Sequence, residues 1–519
     1  MKRNLLFIIA LFFCALSFGQ GEIDAYRYSN DDLSGTARGQ AMGGAFGALG
    51  GDVTGVAINP AGIGIYRSSE ITANMSLKSP IINGTTNQES NTTFHFDNIS
   101  FVGYYPFVKG SMLSLNFGFN YNRIKSFDQR YRTSSRMTSS SMTDYMALLT
   151  NGIQQSAFNV DPYNNSYYAP WLSVLAWDGG LINLQKNATD AYESILGEGD
   201  QVSPSLYVSE KGTVDAYDFT IGSNIANQFY WGATVTLINL SYQMTSSYNE
   251  DFSGGDGFYL DNYLKTDGSG FQMKVGVIYK PIDALRLGVA YHSPVWYSMT
   301  DYYKGWITPI GIINMTDGKQ FGPTSTPGDN PNDPDSPAST NYYLRTPGSW
   351  TFSAATVLGT QAIISLDYEL KGYAAMNLSD ADGYGWKDNT WIKEDYKNTS
   401  TIRAGFEYRF TPQLSGRLGY AWAQNPYSDN IQSVIGDRIE PAGTIPHYTL
   451  SGDANYLTAG VGFKFTPQFY GDFALVYRTQ KDYLYYYPPI NSKDVVSDSF
   501  AGDFTNQSLK GLITLGYKF

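Results

Sequence analysis

The chain has 519 residues, of which 16% are charged and 15% aromatic, and it carries 53 glycines and 42 tyrosines. A formal net charge of −12 argues against nucleic acid as a partner, because phosphate binding needs a basic surface. Past the N-terminus no run approaches the ~20 apolar residues of a membrane helix, so abundant aromatics and glycines with few charges point to a chain of short strands.

Residues 1–19 read as a signal peptide, with a basic Lys2-Arg3, an apolar stretch from Leu5 to Leu16 and a small-x-small Ser17-Phe18-Gly19 site cleaved after Gly19. Cys14 falls inside it, so the mature chain offers no disulfide, thiolate nucleophile or cysteine metal site. Residues 20–68 follow, rich in small side chains and broken by an Asn59-Pro60 turn signal.

From Glu70 the hydrophobic period is two: Ile71, Ala73, Met75 and Leu77 alternate with Thr72, Asn74, Ser76 and Lys78. The pattern recurs in fourteen segments: 70–79, 92–107, 111–125, 213–224, 229–247, 271–279, 285–297, 343–357, 362–373, 399–410, 414–424, 455–465, 469–480 and 507–519. The apolar phase of each segment's centre carries no charge, whereas the opposite phase holds Lys274, Arg286, Asp367, Glu369, Arg403, Glu407, Arg417 and Lys510. A lysine or arginine facing lipid at mid-bilayer costs about 2–4 kcal/mol, so this separation suits a lipid-facing exterior and a wet, ion-paired interior. Short connections such as 108–110, 225–228 and 411–413 alternate with long ones such as 126–212, 298–342 and 425–454. An even strand count, short turns on one side and long loops on the other describe an all-β fold, a 14-stranded antiparallel transmembrane β-barrel. Its expected parts are a small N-terminal hatch (20–68) inside the lumen and the barrel itself (69–519), with long extracellular loops that include the insertion 126–212. Phe107, Phe229, Phe410 and Phe465 flank the short turns as a periplasmic girdle, and the chain ends on the aromatic Tyr517-Lys518-Phe519.

The run from Gly39 through Met42-Gly43-Gly44-Ala45-Phe46 to Asp52, followed by Asn59-Pro60-Ala61-Gly62 just before the first strand, resembles the N-terminal hatch of the FadL/TodX family of hydrophobic-compound transporters. The resemblance implies passive uptake of long-chain fatty acids or aromatic hydrocarbons. Ligand would be captured at the extracellular loops, pass a pocket in the barrel and leave through a lateral gap beside the hatch. It assigns gating to Gly43, Gly44, Asn59, Pro60 and Ala61. Low local stability from small side chains would let such a segment shift.

The family's kink in the third strand is not visible, because 111–125 alternates without a break. The phase slips instead in 92–107, where Phe94 and Phe96 share one parity and Ile99 and Phe101 the other. A bulge at Asp97-Asn98 follows, and it is the candidate lateral gate. Counting outward from Pro412 sets Glu407 opposite Arg417, and the same logic brings Glu369 near Arg403. These pairs either brace the wall or, with Arg409, anchor a ligand's polar head. In the insertion, Met142, Tyr145, Met146, Leu149 and Ile153 fall at helical spacing. They form either an outward-facing apolar cap or a unit packed on itself.

No H-E-x-x-H or G-x-S-x-G is present, so an enzyme is not expected, nor is a cofactor or a metal site. Expected partners are a hydrophobic small molecule and outer-membrane lipids. The alternative function is a FadL-like barrel acting as a protein-binding platform or shuttle in an envelope machine, meeting an envelope protein through its extracellular loops.

Overall fold

A computed structural model describes residues 21–519 apart from 84–85, 88–91, 136, 160–168, 198, 314–317, 331, 334, 429–430, 432–442, 492–495 and 498. The signal-peptide reading of 1–19 lies outside the described residues. Fourteen strands form the wall. In chain order they are β1 (Glu70–Asn83), β2 (Thr93–Pro106), β3 (Met112–Ser126), β4 (Val202–Ile225), β5 (Phe229–Phe252), β6 (Gly257–Ile282) and β7 (Leu285–His292). The others are β8 (Ser349–Leu358), β9 (Ala362–Gly372), β10 (Asn398–Arg409), β11 (Leu414–Ala423), β12 (Tyr448–Lys464), β13 (Phe469–Tyr485) and β14 (Phe500–Lys518). Each pairs antiparallel with its chain neighbours, and β1 closes on β14 from Glu70 opposite Lys518 to Asn83 opposite Thr505. Closure leaves the wall without a free edge. Two short turns share one construction: Thr411 Oγ1 accepts the N–H groups of Gln413 and Leu414, and Thr466 Oγ1 those of Gln468 and Phe469. Side-chain oxygens there replace ladder partners where the chain reverses.

Several strands run farther upward than their lipid-facing pattern, because the alternation inverts. Along β5 the outward Phe229, Trp231, Ala233, Val235 and Leu237 give way to Asn239, Ser241, Gln243 and Thr245, while the inward residues change from Thr234 and Thr236 to Ile238, Leu240, Tyr242 and Met244. Below Leu237 the outside is lipid and the inside is polar. Above it the outside meets water and the inside is a protein core. Upper parts of β4 and β6 follow the same rule. Above the bilayer the sheet continues through further segments in line with β7 (Trp296–Ile310), β8 (Ala338–Arg345) and β9 (Asn377–Asp380).

The insertion fills this upper barrel. Ser141 caps helix α4 (Met142–Thr150) in a capping box with Asp144, and α5 (Trp171–Asp178) packs beside it. Met142, Tyr145 and Met146 turn inward and join one apolar cluster with Tyr242, Met244, Leu260 and Tyr342 of the wall. Glu250, high on β5, fastens α4: Met142 N donates to its Oε1 at 2.7 Å, and Ser141 Oγ and Tyr248 Oη also donate to the carboxyl group.

Ala233→Lys, midway along the lipid-facing stretch of β5, is expected to cost about 2–4 kcal/mol of barrel stability, whereas Gln243→Lys, ten residues higher on the same face, stays within about 0.5 kcal/mol. Urea titration of the refolded barrel in lipid vesicles measures both. Burial pushes the Glu250 carboxyl up to about 7. A raised carboxyl pKa favours docking at low pH, so the hold on α4 weakens as pH rises through about 7. Limited proteolysis of the insertion should quicken between pH 6 and pH 8.5, and Glu250→Gln should remove that dependence.

Candidate functional site: the lumen and its plug

Residues 21–66 occupy the lumen. Helix α1 (Glu22–Ser29) lies highest, with Tyr26 among Tyr373, Tyr396 and Tyr427 and with Tyr28 Oη in a hydrogen bond with Thr266 Oγ1 at 2.8 Å. Helices α2 (Ala37–Ala41) and α3 (Val53–Ile58) follow, and a 3-10 turn, Pro60–Ile65, reaches the lower wall.

The plug meets the wall backbone to backbone. A Cβ on Gly232 would lie 2.2 Å from Pro60 O, on Gly276 2.0 Å from Asn59 Oδ1, on Gly288 2.7 Å from Gly47 O, and on Gly419 2.1 Å from Gly43 N. Gly43 and Gly44 adopt φ of +64° and +76°, the left-handed region that glycine enters without strain. A side chain on Gly43 would also strike the Tyr420 backbone at 2.8 Å. Asn59 explains the Asn-Pro step. Its Oδ1 accepts Ala61 N at 3.1 Å, capping the 3-10 turn, while its Nδ2 donates to Gly47 O at 2.8 Å and to Val277 O at 3.2 Å. Pro60 starts the turn where an N–H has no partner, and Ala61 is fully buried.

Polar wall residues bind the plug's backbone. Asp367 Oδ2 accepts Phe46 N and Gly47 N at 3.0 and 2.9 Å, Arg286 donates to Leu49 O, and His292 Nε2 donates to Ile58 O at 2.9 Å. Asn116 Nδ2 donates to Ile63 O at 2.6 Å, and Lys371 Nζ to Ser29 O at 2.7 Å. Below them runs a chain of ions. Arg38 of the plug grips Glu407 through Nε at 2.9 Å and Nη2 at 3.1 Å, Arg417 Nε meets the same carboxylate at 2.6 Å, and Arg417 Nη1 reaches Asp472 at 2.5 Å. Glu407 and Arg417 are register partners, and Arg403 meets Glu369 at 2.5 Å. Arg409 does not join them, since it is exposed at the rim beside the short turn, opposite Ser415.

The wall opens beside the plug at β2. Asn98 faces Asn74 and Phe96 faces Met75, so Asp97 is the extra residue of a bulge. Above it the ladder to β3 stops: pairing runs from Asn98 opposite Asn122 to Pro106 opposite Ser114, and 93–97 have no partner in β3. One polar side-chain contact crosses the gap, from Arg123 to His95, while Asp215 of β4 and Lys510 of β14 hold its two sides. Arg123 Nη1 donates to His95 Nδ1 at 3.1 Å, Arg123 Nε pairs with Asp215 at 3.1 Å, and Lys510 holds Asp97 at 2.9 Å. Outside, Phe96 stacks on Tyr121. A small cavity lies behind the gap, lined by His95, Asp97, Arg123, Lys78 and Arg478. A larger one of about 230 Å³ extends through mid-lumen between plug and wall, where Lys274, Glu369, Lys371 and Arg403 alternate with Leu33, Ile58, Ile238 and Tyr456.

Sequence reasoning reached Asn59, the Glu407–Arg417 pair and the slip at Asp97. It missed Arg38, Asn116 and the wall glycines, whose partners lie far away along the chain. Gly232→Ala and Gly276→Ala are each expected to destabilise plug seating by about 1–3 kcal/mol through overpacking. Gly511→Ala, whose nearest neighbour is Leu475 at 3.8 Å, should be near neutral. Protease cleavage within 21–66 of the folded barrel reads the difference.

Residues 224–508 match the profile of the family described as outer membrane protein transport protein (OMPP1/FadL/TodX). A Pseudomonas aeruginosa FadL homologue superposes with a TM-score of 0.53 at 13% identity, over 94% of this chain and 99% of that one. For the Ralstonia pickettii toluene transporter TbuX the TM-score is 0.49 at 14% identity, over 93% and 98%. No curated protein matches the chain by sequence. With more than half its length matched, this chain belongs to the OMPP1/FadL/TodX family of outer-membrane transport proteins.

Proposed function

We propose that this barrel admits hydrophobic small molecules by passive diffusion, that residues 20–68 are its hatch, and that the ligand leaves through the wall beside Asp97-Asn98. The observation that carries the reading is the lapse of backbone pairing between β2 and β3 above Asn98, directly in front of a cavity. The hatch backbone fits against wall glycines in the lower lumen, so a sideways exit requires the least rearrangement. Only side chains close the gap, and side-chain rotamers exchange far faster than strands unzip.

Of the two ligand classes, a long-chain carboxylate suits the lumen better than an aromatic hydrocarbon. Its apolar tail has Leu33, Ile58 and Ile238 to lie against, and its head has Lys274, Lys371 or Arg403. Glu369 and Arg403 line that cavity, while Glu407 and Arg417 brace the hatch from below through Arg38. The alternative role as a protein-binding platform loses one motive, because α4 and α5 turn their apolar faces into the barrel.

Host cells lacking their own fatty-acid channel and expressing this chain should take up a fluorescent dodecanoate. Deleting Asp97 removes the bulge, restores a regular ladder, and should slow uptake at least tenfold while the barrel still assembles. Uptake indifferent to that deletion would remove the lateral exit. Absence of uptake, with an envelope protein co-purifying in stoichiometric amount, would replace transport by the platform.

A further inference from the structure

A second discontinuity lies across the barrel from Asp97, in β7, β8 and β9. All three strands break at one height. After His292, Ser293-Pro294-Val295 intervene before the chain resumes at Trp296. Thr346-Pro347-Gly348 separate Arg345 from Ser349, and a 3-10 turn, Tyr373–Ala375, follows Gly372 before the chain resumes at Asn377. Proline supplies no N–H to a ladder, yet β7 and β8 stay joined: Val295 N donates to Thr346 Oγ1 at 2.9 Å, and Thr346 N to Val295 O at 3.0 Å. Between β8 and β9 no backbone hydrogen bond among the described residues replaces the ladder. Pairing ends at Ser349 opposite Lys371 and resumes only at Arg345 opposite Asn377, setting residues 346–348 against 372–376 with no backbone hydrogen bond between them.

The height and the lining of this window are specific. Tyr291 and Trp350, with ring centroids 4.8 Å apart, lie on its outer face just below, and Trp296 just above. Such a belt marks the outer-leaflet interface. The rim has little bulk, with Gly348, Ala374 and Ala375 reaching the surface, while Tyr373 turns inward onto Tyr26 at 5.2 Å. Behind the rim the 230 Å³ cavity is lined by Thr346, Pro347, Ser349 and Lys371. The Lys371 ammonium lies there against Ser29 O at 2.7 Å and Asp31 at 3.1 Å, and the buried Ser29 hydroxyl has no hydrogen-bond partner.

We propose that this window is an entry port for single-chain anionic amphiphiles resident in the outer leaflet. The carboxylate head of such a molecule already sits at interface height, so it meets Lys371 and Ser29 without crossing hydrocarbon, and its tail follows from against Phe352, Leu366 and Leu370. The use of the port for uptake rests on the transport reading above; its existence does not.

With its only cysteine in the signal peptide, the mature protein suits single-cysteine labelling. Ser349→Cys protein in phosphatidylcholine vesicles should react with N-(1-pyrenyl)maleimide, which partitions into the bilayer, at least tenfold faster than with a disulfonated stilbene maleimide. Ala374→Trp on that background should fill the window and slow the pyrene reaction at least fivefold, whereas deletion of Asp97 should leave it unchanged. Heat-modifiable migration on gels checks that each barrel is folded. Equal reaction with both reagents, no reaction with either, or insensitivity to Ala374→Trp would overturn the port. So would blockage by the Asp97 deletion, since the probe would then enter beside β2. Lipid-side labelling in a protein that takes up no dodecanoate would instead reject transport and leave the port standing.

Discussion

Close approach of two backbones is the contact on which the rest of this structure depends. Gly43, Gly47 and the Asn59-Pro60 step lie so close to the strands at Gly419, Gly288, Gly276 and Gly232 that a Cβ on any of those wall glycines would overlap them. No methyl group fits there. A barrel of fourteen strands has room for a plug, but a plug with ordinary side chains would be held off the wall, leaving a water-filled annulus. Removing side chains on both surfaces lets carbonyls and amides pair with inward Asp367, Arg286, His292 and Asn116. The seal therefore adds hydrogen bonds to small apolar clusters, such as Ala37 and Ala41 against Ala474 and Leu512 and Ala61 against Tyr230 and Ile278, and the directionality of those bonds fixes the plug in one pose.

That arrangement accounts for the charged lumen. Buried ions are tolerated when each is paired and hydrogen-bonded, and the plug supplies one member of the chain Arg38–Glu407–Arg417–Asp472 through Arg38 on Glu407. The carboxylates and cations of the lower lumen are engaged with each other or with the plug. Those around the mid-lumen cavity are paired as well, Arg403 with Glu369, Lys371 with Asp31 and Lys274 with Asp218, but they also line open space. The division between a braced floor and a polar chamber follows from where the plug's backbone runs.

The wall itself changes solvent along its height. Within the bilayer a strand turns its apolar face outward, and above the bilayer the same strand turns it inward onto α4, α5 and the tyrosines around Tyr26. Discontinuities of the ladder sit near the crossover, where Asp97 bulges from β2 and where Pro294 and Pro347 interrupt β7 and β8. A bulge or proline costs least where strands must already re-aim their side chains.

Much of this was legible in the residues alone. Period-two alternation with charges confined to one phase is a local property, so the strand number, the closed antiparallel barrel and the inside-outside sense could be read directly. The Glu407–Arg417 pairing followed from counting across a three-residue turn, and the Asp97 bulge from a change of parity within one strand. The upper strands were read as loops, since residues such as 202–212 and 257–270 carry polar outward positions that resemble solvent-exposed connections until their inward partners are seen to share a core. Wall glycines, Arg38 and the break between β8 and β9 gave no signal, because each draws its meaning from a residue far off in the chain. The sequence by itself determined which face of each strand meets lipid, for that is settled by alternating neighbours. Only the tertiary structure decided where the plug touches the wall and where the wall lapses, because backbone approach and ladder register arise once distant strands lie side by side.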